Sequence, residues 1–412
     1  MTVRIDRPIV GGSVAAPPSK SETHRALICS ALAGADMPAG GSEDIEATAR
    51  SLSALRRGGK LVLDCGESGS TLRFLLPVCA ALGKEAAFVM RGRLPSRPLS
   101  ALTDALAAHG CAIARPEDCM LICRGRLESG EYTLPGNVSS QYVSGLLLAL
   151  PLLPGESAVR CEGVLESRPY VDMTVDILRR FGVEINENPD AGRGSVFVVP
   201  GNQQYSLPPD GAGIGGDWSA AAFWLASGAF GPGAVTVTGL REDTRQGDKA
   251  VATLLSAFGA QVRWDGNAVT VAHGVLQGTD IDARDTPDLV PALAAVASVA
   301  EGKTTIYGAG RLRLKESDRL RAVSECLTAL GANISETEDG LVIEGKRRLI
   351  GGVIGSFGDH RIAMTAAVLS RVCEKPVAIV GAEAVNKSYP RFFDDFAALG
   401  GAYRWISHSE ES

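Results

Sequence analysis

Apolar positions along the chain fall into two recurring helical patterns, separated by short β-type runs. In the first pattern a helical segment ends in an apolar turn, followed by a glycine, a small or β-branched residue and a short strand. It occupies residues 46–59, 98–110, 170–182, 247–259, 317–331 and 391–400, each closed by a glycine. The strands expected next include Cys-Ala-Ile after Gly110, Val-Glu-Ile after Gly182, Ala-Gln-Val after Gly259 and Ala-Asn-Ile after Gly331. Tyr-Arg-Trp follows the last segment. Such a glycine is the left-handed residue that ends a helix and turns the chain toward a strand. From Gly110 onward the closing glycines lie 72, 77, 72 and 69 residues apart, whereas Gly59 and Gly110 are separated by 51.

The second pattern starts with a polar cluster and continues as an almost uncharged helix. Its six starts are Ser19-Lys20-Ser21, Ser68-Gly69-Ser70, Ser139-Ser140-Gln141, Gly216-Asp217-Trp218-Ser219, Pro287-Asp288 and Gly358-Asp359-His360-Arg361. Bodies such as 145–153 and 292–300 are apolar all round, which predicts buried helices. Between the helices, 61–63, 87–90, 158–161, 196–199, 235–238, 304–307 and 377–380 read as strands. The repeat is longer than the roughly 20–50 residues of solenoids, so six units of this size predict an α/β (α+β) protein of two lobes with three units each. The boundary is expected in Pro208-Pro209-Asp210-Gly211-Ala212-Gly213-Ile214-Gly215-Gly216. Its formal Gly-x-Gly-x-x-Gly follows no strand and reads as a linker rather than a dinucleotide site.

Composition narrows the function. A chain of 412 residues is too long for one core, and 45% hydrophobic with 21% charged residues is ordinary for a globular protein. The net charge of -6 argues against a nucleic-acid binder or a membrane-surface binder. No apolar run reaches the roughly 18 residues needed to span a bilayer, and no leader is apparent, so a cytoplasmic location is expected. Nine cysteines, with no Cys-x-x-Cys, read as reduced thiols. Five histidines outside any His-Glu-x-x-His arrangement predict no dedicated metal site.

An anion site in an acidic protein has to be a local cluster of cations. In Pro17-Pro18-Ser19-Lys20-Ser21-Glu22-Thr23-His24-Arg25, Lys20, Ser21 and Arg25 lie in the first turns of a helix, whose free N–H groups favour a phosphate or carboxylate. An ordinary capped helix with solvated charges is the plainer reading of the same residues. The densest charged stretch runs from Arg311 to Leu320. There Lys315 and Arg319, at i,i+4, are expected on one helix face with Glu316 beside them. They suit a phosphate clamp with a carboxylate for proton transfer, although a simple Glu316–Arg319 ion pair has the same spacing. Candidate cations are Lys20, Arg25, Arg97, Lys315, Arg319, Arg361 and Lys387, and candidate carboxylates are Asp288 and Glu316. The surplus of about five positive charges suits two small phosphorylated carboxylic acids.

These residues carry a resemblance over nearly the whole chain. Ser19-Lys20-Ser21-x-x-x-Arg25-Ala26-Leu27, Gly69-Ser70-Thr71-x-Arg73, Arg97-Pro98-Leu99 and Ser139-Ser140-Gln141-Tyr142 form its first half. Lys315-Glu316-Ser317-Asp318-Arg319, Asp359-His360-Arg361-x-Ala363-Met364 and Lys387-Ser388-Tyr389-Pro390 form its second. Together they resemble the EPSP synthase (3-phosphoshikimate 1-carboxyvinyltransferase) family of enolpyruvyl transferases. The resemblance implies two lobes of three βαβαββ repeats, with helix N-termini facing an inter-lobe cleft. Residues 1–18 plus 215–412 would form a C-terminal lobe with the phosphoenolpyruvate clamp and catalytic acids. Residues 19–214 would form an N-terminal lobe binding shikimate 3-phosphate, with Pro17-Pro18 and the glycine-rich linker as hinges.

By the same resemblance, shikimate 3-phosphate would meet Lys20, Ser21, Arg25, Ser139, Ser140, Gln141, Ser167, Asp288 and Lys315. Phosphoenolpyruvate would meet Lys20, Gly69, Arg97, Gln141, Arg319, Arg361 and Lys387. The implied reaction protonates the methylene carbon of phosphoenolpyruvate, adds the shikimate 5-hydroxyl to C2, and then eliminates phosphate, with no metal or organic cofactor required. Asp288, Glu316 and Lys20 share the proton transfers, in a division that the motifs leave open. A monomer is expected, acting only on small molecules, in chorismate and aromatic amino-acid biosynthesis.

Two positions depart from the family pattern. Glu67 stands where an Asn commonly precedes the small-Gly-Ser/Thr segment, and Arg311 stands where an Asn commonly contacts shikimate. UDP-N-acetylglucosamine enolpyruvyl transferases share the chemistry, but they have Lys-Asn where this chain has Lys20-Ser21. They also carry a reactive loop cysteine whose context Cys111 and Cys119 lack. A non-catalytic metabolite-binding protein on the same fold is a further alternative, against which Asp288 and Glu316 beside intact cations argue. Because Gly69 leaves room beside the phosphoenolpyruvate site, the enzyme is expected to be inhibited by glyphosate, which an activity titration checks; full activity at millimolar inhibitor would refute it.

Overall fold

A computed structural model describes residues 1–35, 40–57, 59–190 and 194–406. Positions 36–39, 58, 191–193 and 407–412, which fall within the expected lobes 19–214 and 215–412, lie outside the described residues. Two compact units form, Met1–Ser19 with the chain from Gly215 onward, and Lys20–Ile214. Ser19, expected to head the second lobe, stays with the terminal unit, where its N–H donates to the Gly215 carbonyl at 2.8 Å.

The chain begins with β1 (Thr2–Arg7) and β2 (Gly12–Ala15), then α1 (Lys20–Leu32) and α2 (Glu43–Arg57). Next come β3 (Leu61–Gly66), α3 (Gly69–Ala81), β4 (Ala86–Met90), α4 (Ser100–Ala107), β5 (Cys111–Glu117) and β6 (Met120–Gly125). The Lys20–Ile214 unit closes with β7 (Glu131–Pro135), α5 (Ser140–Ala149), β8 (Ser157–Glu162), α6 (Arg168–Arg180), β9 (Asn186–Asp190) and β10 (Gly194–Val199). The terminal unit resumes with α7 (Trp218–Phe230), β11 (Val235–Thr238), α8 (Val251–Ala257), β12 (Gln261–Asp265), β13 (Ala268–Ala272) and β14 (Asp280–Asp282). It continues with α9 (Val290–Ala297), β15 (Lys303–Tyr307), α10 (Arg319–Ala329), β16 (Asn333–Glu336), β17 (Leu341–Glu344) and β18 (Gly352–Gly355). The last elements are α11 (His360–Leu369), β19 (Val377–Val380), α12 (Phe392–Ala398) and β20 (Ala402–Ile406).

The terminal unit holds three four-stranded sheets, β18-β19-β1-β20, β12-β13-β11-β2 and β14-β15-β17-β16. Each joins parallel and antiparallel pairs, as in β14–β15 parallel and β15–β17 antiparallel. The expectation of three complete βαβαββ repeats is corrected for the Lys20–Ile214 unit. Among its described residues there are two four-stranded sheets, β3-β4-β6-β5 and β7-β8-β10-β9. Among the described residues the first repeat there is represented by α1 and α2, ahead of β3. The short interval between Gly59 and Gly110 is the sequence trace of that contraction.

All six closing glycines adopt positive φ, between +79° and +98°, as helix termination requires. The strand expected at Val183-Glu184-Ile185 instead begins at Asn186. The uncharged helices are buried as their composition demands. In α7 every residue except Ser219 is buried, and all of α9 and α11 are. Removing a side chain such as Phe223 or Leu225 from water is worth about 1.5–3 kcal/mol, and α7, α9 and α11 pack on one another to form the core of the terminal unit. In the other unit α3, α5 and α1 do the same, with α6 packed against α1 and α5.

The α3–α5 crossing shows how sequence sets the approach. Pro77 lies inside α3 and has no N–H, so the Arg73 carbonyl four residues earlier loses its helical partner. Gly145 of α5 sits on that oxygen: a Cβ there would lie 2.2 Å from it. Gly145→Ala is expected to destabilise the protein by about 1–3 kcal/mol through overpacking, read as a lowered denaturant midpoint with unchanged slope.

Candidate functional site

In each unit the polar helix starts gather at one end. In the terminal unit Asp217 caps α7, accepting from Ala220 N at 2.8 Å, and Asp359 caps α11, accepting from Arg361 N at 3.0 Å. Asp288 lies in a single 3-10 turn, Pro287–Leu289, that leads into α9. Arg361 spans the starts of α11 and α9, with its Nη1 3.1 Å from the Asp288 carbonyl and its Nη2 3.0 Å from Asp288 Oδ2.

Arg319 lies at the centre, 1% exposed. Its Nε donates to Asp359 Oδ2 at 2.8 Å, Nη1 to Asp288 Oδ1 at 3.0 Å and Nη2 to Glu316 Oε2 at 2.5 Å. Ser317 donates to the same Asp359 oxygen at 2.9 Å, and Lys315 Nζ lies 3.7 Å from Asp288 Oδ1. The expected helix face for Lys315 and Arg319 is corrected. Asp318 is the N-cap, accepting from Arg321 N, so α10 begins at Arg319 and Lys315 stands before it on extended backbone. Both cations nonetheless meet Asp288. The Glu316–Arg319 ion pair is also present, as part of the larger cluster.

Electrostatics follow from that packing. Burial raises the Asp288 carboxyl, but Arg361, Lys315 and Arg319 outweigh it and hold the group well below the usual range. Asp359 is likewise driven down, because Arg319 and the neighbouring His360 outweigh burial. Asp248 behaves oppositely: burial and then the Asp288 charge push it up to about 7, against Arg361 and the Ser219 hydroxyl bonded to it. Asp248 sits beside Gln246, whose side chain accepts from Trp218 N at 3.0 Å and donates to Gly216 O at 2.9 Å, pinning the start of α7. Lys387 Nζ donates to the Gly358 carbonyl at 2.8 Å, adjacent to the Asp359 cap.

In the Lys20–Ile214 unit, Gly69, Arg97 and Gln141 meet at the starts of α3 and α5. Gln141 accepts from Arg73 Nη1 at 2.9 Å and donates to Ser70 Oγ at 2.9 Å. A Cβ on Gly69 would come within 2.5 Å of Arg73 Nη1 and 3.0 Å of Arg97 Nη1, so a side chain there would have to displace the guanidinium ends from their present positions. Ser139 caps α5, accepting from Gln141 N at 3.3 Å; this is the capping role that its position allows, and Ser140 is buried beside it. Ser167 is buried at the head of α6 with φ +54°, a left-handed conformation that a serine adopts only where its surroundings enforce it.

Lys20 Nζ is 2.8 Å from Asp44 Oδ2. Arg25 is buried and serves largely as an internal clamp. It donates to Thr174 Oγ1 at 2.7 Å, Ser21 O at 2.7 Å, Tyr170 O at 3.1 Å and Ser144 Oγ at 3.3 Å. Its guanidinium also lies over the Phe74 ring, and burial lowers its pKa to about 10. Arg311 donates to the Arg284 carbonyl at 2.8 Å, and the Glu67 carboxylate lies against Gly92, where a Cβ would be 2.4 Å from it. The sequence gives no sign of Asp44 and Asp248 as site charges, and Asp359, an acid at a helix start, stands outside the two carboxylates counted against the cations. Counting Asp44 and Asp359 with Asp288 and Glu316 sets four carboxylates against the seven cations, and so the expected surplus of five falls to three. Asp44 and Asp248 have no local signal beyond an acidic first turn.

The EPSP synthase (3-phosphoshikimate 1-carboxyvinyltransferase) family model matches residues 6–396. The chain belongs to this family. A 3-phosphoshikimate 1-carboxyvinyltransferase of Clostridium kluyveri is 42% identical, the match covering 95% of each chain. One of Clostridioides difficile is 40% identical over 95% of this chain and 96% of its own. The fold is that of a solved EPSP synthase from Acinetobacter baumannii, with a TM-score of 0.74, 24% identity and coverage of 98% of this chain and 100% of that one. Among the described residues no helix is long and apolar enough to cross a membrane. All nine cysteines are free thiols, most of them buried.

Asp248 makes a pH prediction for this family member. Its folded pKa, about 7, exceeds the unfolded value, so the stability it contributes is complete below the unfolded pKa and is lost as pH rises through 7. Relative to Asp248→Asn, the wild-type thermal midpoint is expected to fall between about pH 4 and 7 and to stay level above.

Proposed function

We propose that this chain transfers the enolpyruvyl group of phosphoenolpyruvate to the 5-hydroxyl of shikimate 3-phosphate, releasing phosphate. The observation that carries the reading is the buried Arg319 cluster, which holds Asp288, Glu316, Lys315 and Arg361 together in a member of the EPSP synthase family. Shikimate 3-phosphate engages Lys20, Ser21, Arg25, Ser139, Ser140, Gln141, Ser167, Asp288 and Lys315. Phosphoenolpyruvate engages Lys20, Gly69, Arg97, Gln141, Arg319, Arg361 and Lys387. The protein works on small molecules, as a monomer in the cytoplasm.

The chemistry follows from the charges. Cations aimed at a phosphate and a carboxylate stabilise the charge that moves to the leaving group. Held by Arg361, Lys315 and Arg319 against the opposing effect of burial, Asp288 is too acidic to take a proton readily. An anionic substrate that draws Arg361, Lys315 and Arg319 toward itself weakens their hold on Asp288 and raises its basicity when the reaction needs it. Glu316, bound to the same guanidinium, is released in the same way. Asp288, Glu316 and Lys20 then share protonation of the methylene carbon, deprotonation of the 5-hydroxyl and the final proton removal.

Phosphate release from phosphoenolpyruvate with shikimate 3-phosphate present, omitted and restored tests the activity. Release only when both are present is expected, and tight binding of both without release would identify a binding protein. Glu316→Gln is expected to cut kcat by about 100-fold or more while leaving ligand affinity within a few-fold. Equal losses of both would mean that Glu316 serves only as the ion-pair partner of Arg319.

A further inference from the structure

The Lys20–Asp44 contact lies wholly within the Lys20–Ile214 unit and joins the first turns of α1 and α2. Lys20 is the first residue of α1, and its ammonium therefore lies at the positive end of that helix. A long, flexible ammonium repelled from its own helix end would turn to bulk water. Asp44 opposes this with a carboxylate oxygen 2.8 Å from Nζ, both side chains being less than one-fifth exposed.

Asp44 stands on a fixed support. Its carbonyl is approached by the Thr48 and Thr71 hydroxyls at 3.4 and 3.5 Å. These hydroxyls lie 2.7 Å from each other, and Thr71 donates to Ser68 Oγ, the cap of α3, at 2.8 Å. His24 Nδ1 of α1 is 2.8 Å from Thr48 Oγ1. Burial, and then the charges of Lys20 and Arg25, hold His24 well below its ordinary pKa, so it joins the chain as a neutral hydrogen-bonding group. A line of hydroxyls thus binds the starts of α1, α2 and α3, and Asp44 presents its carboxylate from that line.

We propose that Asp44 is a positioning residue that acts through Lys20, holding its ammonium charged and aimed before the anionic substrate arrives. The inference rests on the reading of Lys20 as a group that meets phosphoenolpyruvate. The carboxylate also competes with the substrate for the ammonium. Its removal therefore leaves ground-state affinity intact and is felt in turnover, where misplacement of a reacting group is costly.

Phosphate release from phosphoenolpyruvate and shikimate 3-phosphate, measured with the full chain, tests this. Asp44→Asn, nearly isosteric, is expected to lower kcat by about 10- to 100-fold with KM for phosphoenolpyruvate within about threefold. Asp44→Glu, which keeps the charge, is expected to recover part of that turnover. It also carries the test by itself should the Asn variant not fold, because turnover equal to that of Asp44→Ala would overturn the proposal. In a Lys20→Met background Asp44→Asn is expected to add less than about a twofold loss, the non-additivity of residues acting as a unit. Additive losses, or an undiminished kcat in Asp44→Asn beside an inactive Lys20→Met, would overturn the positioning role alone. Wild-type turnover in Lys20→Met would overturn the reading of Lys20 itself, and this inference with it.

Discussion

A guanidinium buried to 1% exposure cannot stand alone, and the terminal unit is built around that constraint at Arg319. Each of its nitrogens is matched to a carboxylate from a different place: Asp359 at the cap of α11, Asp288 in the turn before α9, and Glu316 just ahead of α10. Removing one partner would leave a charge buried without compensation, which costs far more than the pair contributes. The three helix starts are thereby locked to one another. Because Lys315 and Arg361 also lean on Asp288, the cluster is close to neutral before any ligand enters.

That neutrality changes how the site has to be understood. An open reservoir of positive charge would bind any anion. A cluster in which cations already hold carboxylates binds only an anion able to compete for several cations at once. The exchange has a second effect, since each cation drawn to substrate raises the basicity of the carboxylate it leaves. Under the proposed function, binding and proton transfer share one set of contacts, and substrate arrival is what frees the acids.

The helices explain why the polar groups stand where they do. α7, α9 and α11 are buried along their lengths, as are α3 and α5, so most polar side chains stand toward their starts and the few hydroxyls within, such as Ser144 and Thr365, are hydrogen-bonded. The ends in turn require side chains to satisfy their free N–H groups, which Ser68, Ser139, Asp217 and Asp359 do. Capping and site chemistry are therefore two uses of the same positions. Ser139 keeps its hydroxyl proton available while its oxygen accepts from Gln141, and Asp359 caps α11 with one oxygen while holding Arg319 with the other.

Local rules made much of this legible. The six glycines with positive φ, the uncharged helices and their polar starts, and the motifs that carry the family likeness all depend on neighbours a few residues apart. So does the contraction of the first repeat, visible as one short interval. Charge pairing does not obey such rules. Asp44 meets Lys20 across 24 positions and Arg25 meets Thr174 across 149, and no spacing announces either. The helix assumed to join Lys315 and Arg319 yielded to Asp318, a better cap. The raised pKa of Asp248 depends on burial and on a second acid forty residues away in sequence. By itself the sequence determined which residues could carry charge into the site. Only the tertiary structure decided which of those charges cancel, because desolvation and Coulomb attraction act through distance in space and not along the chain.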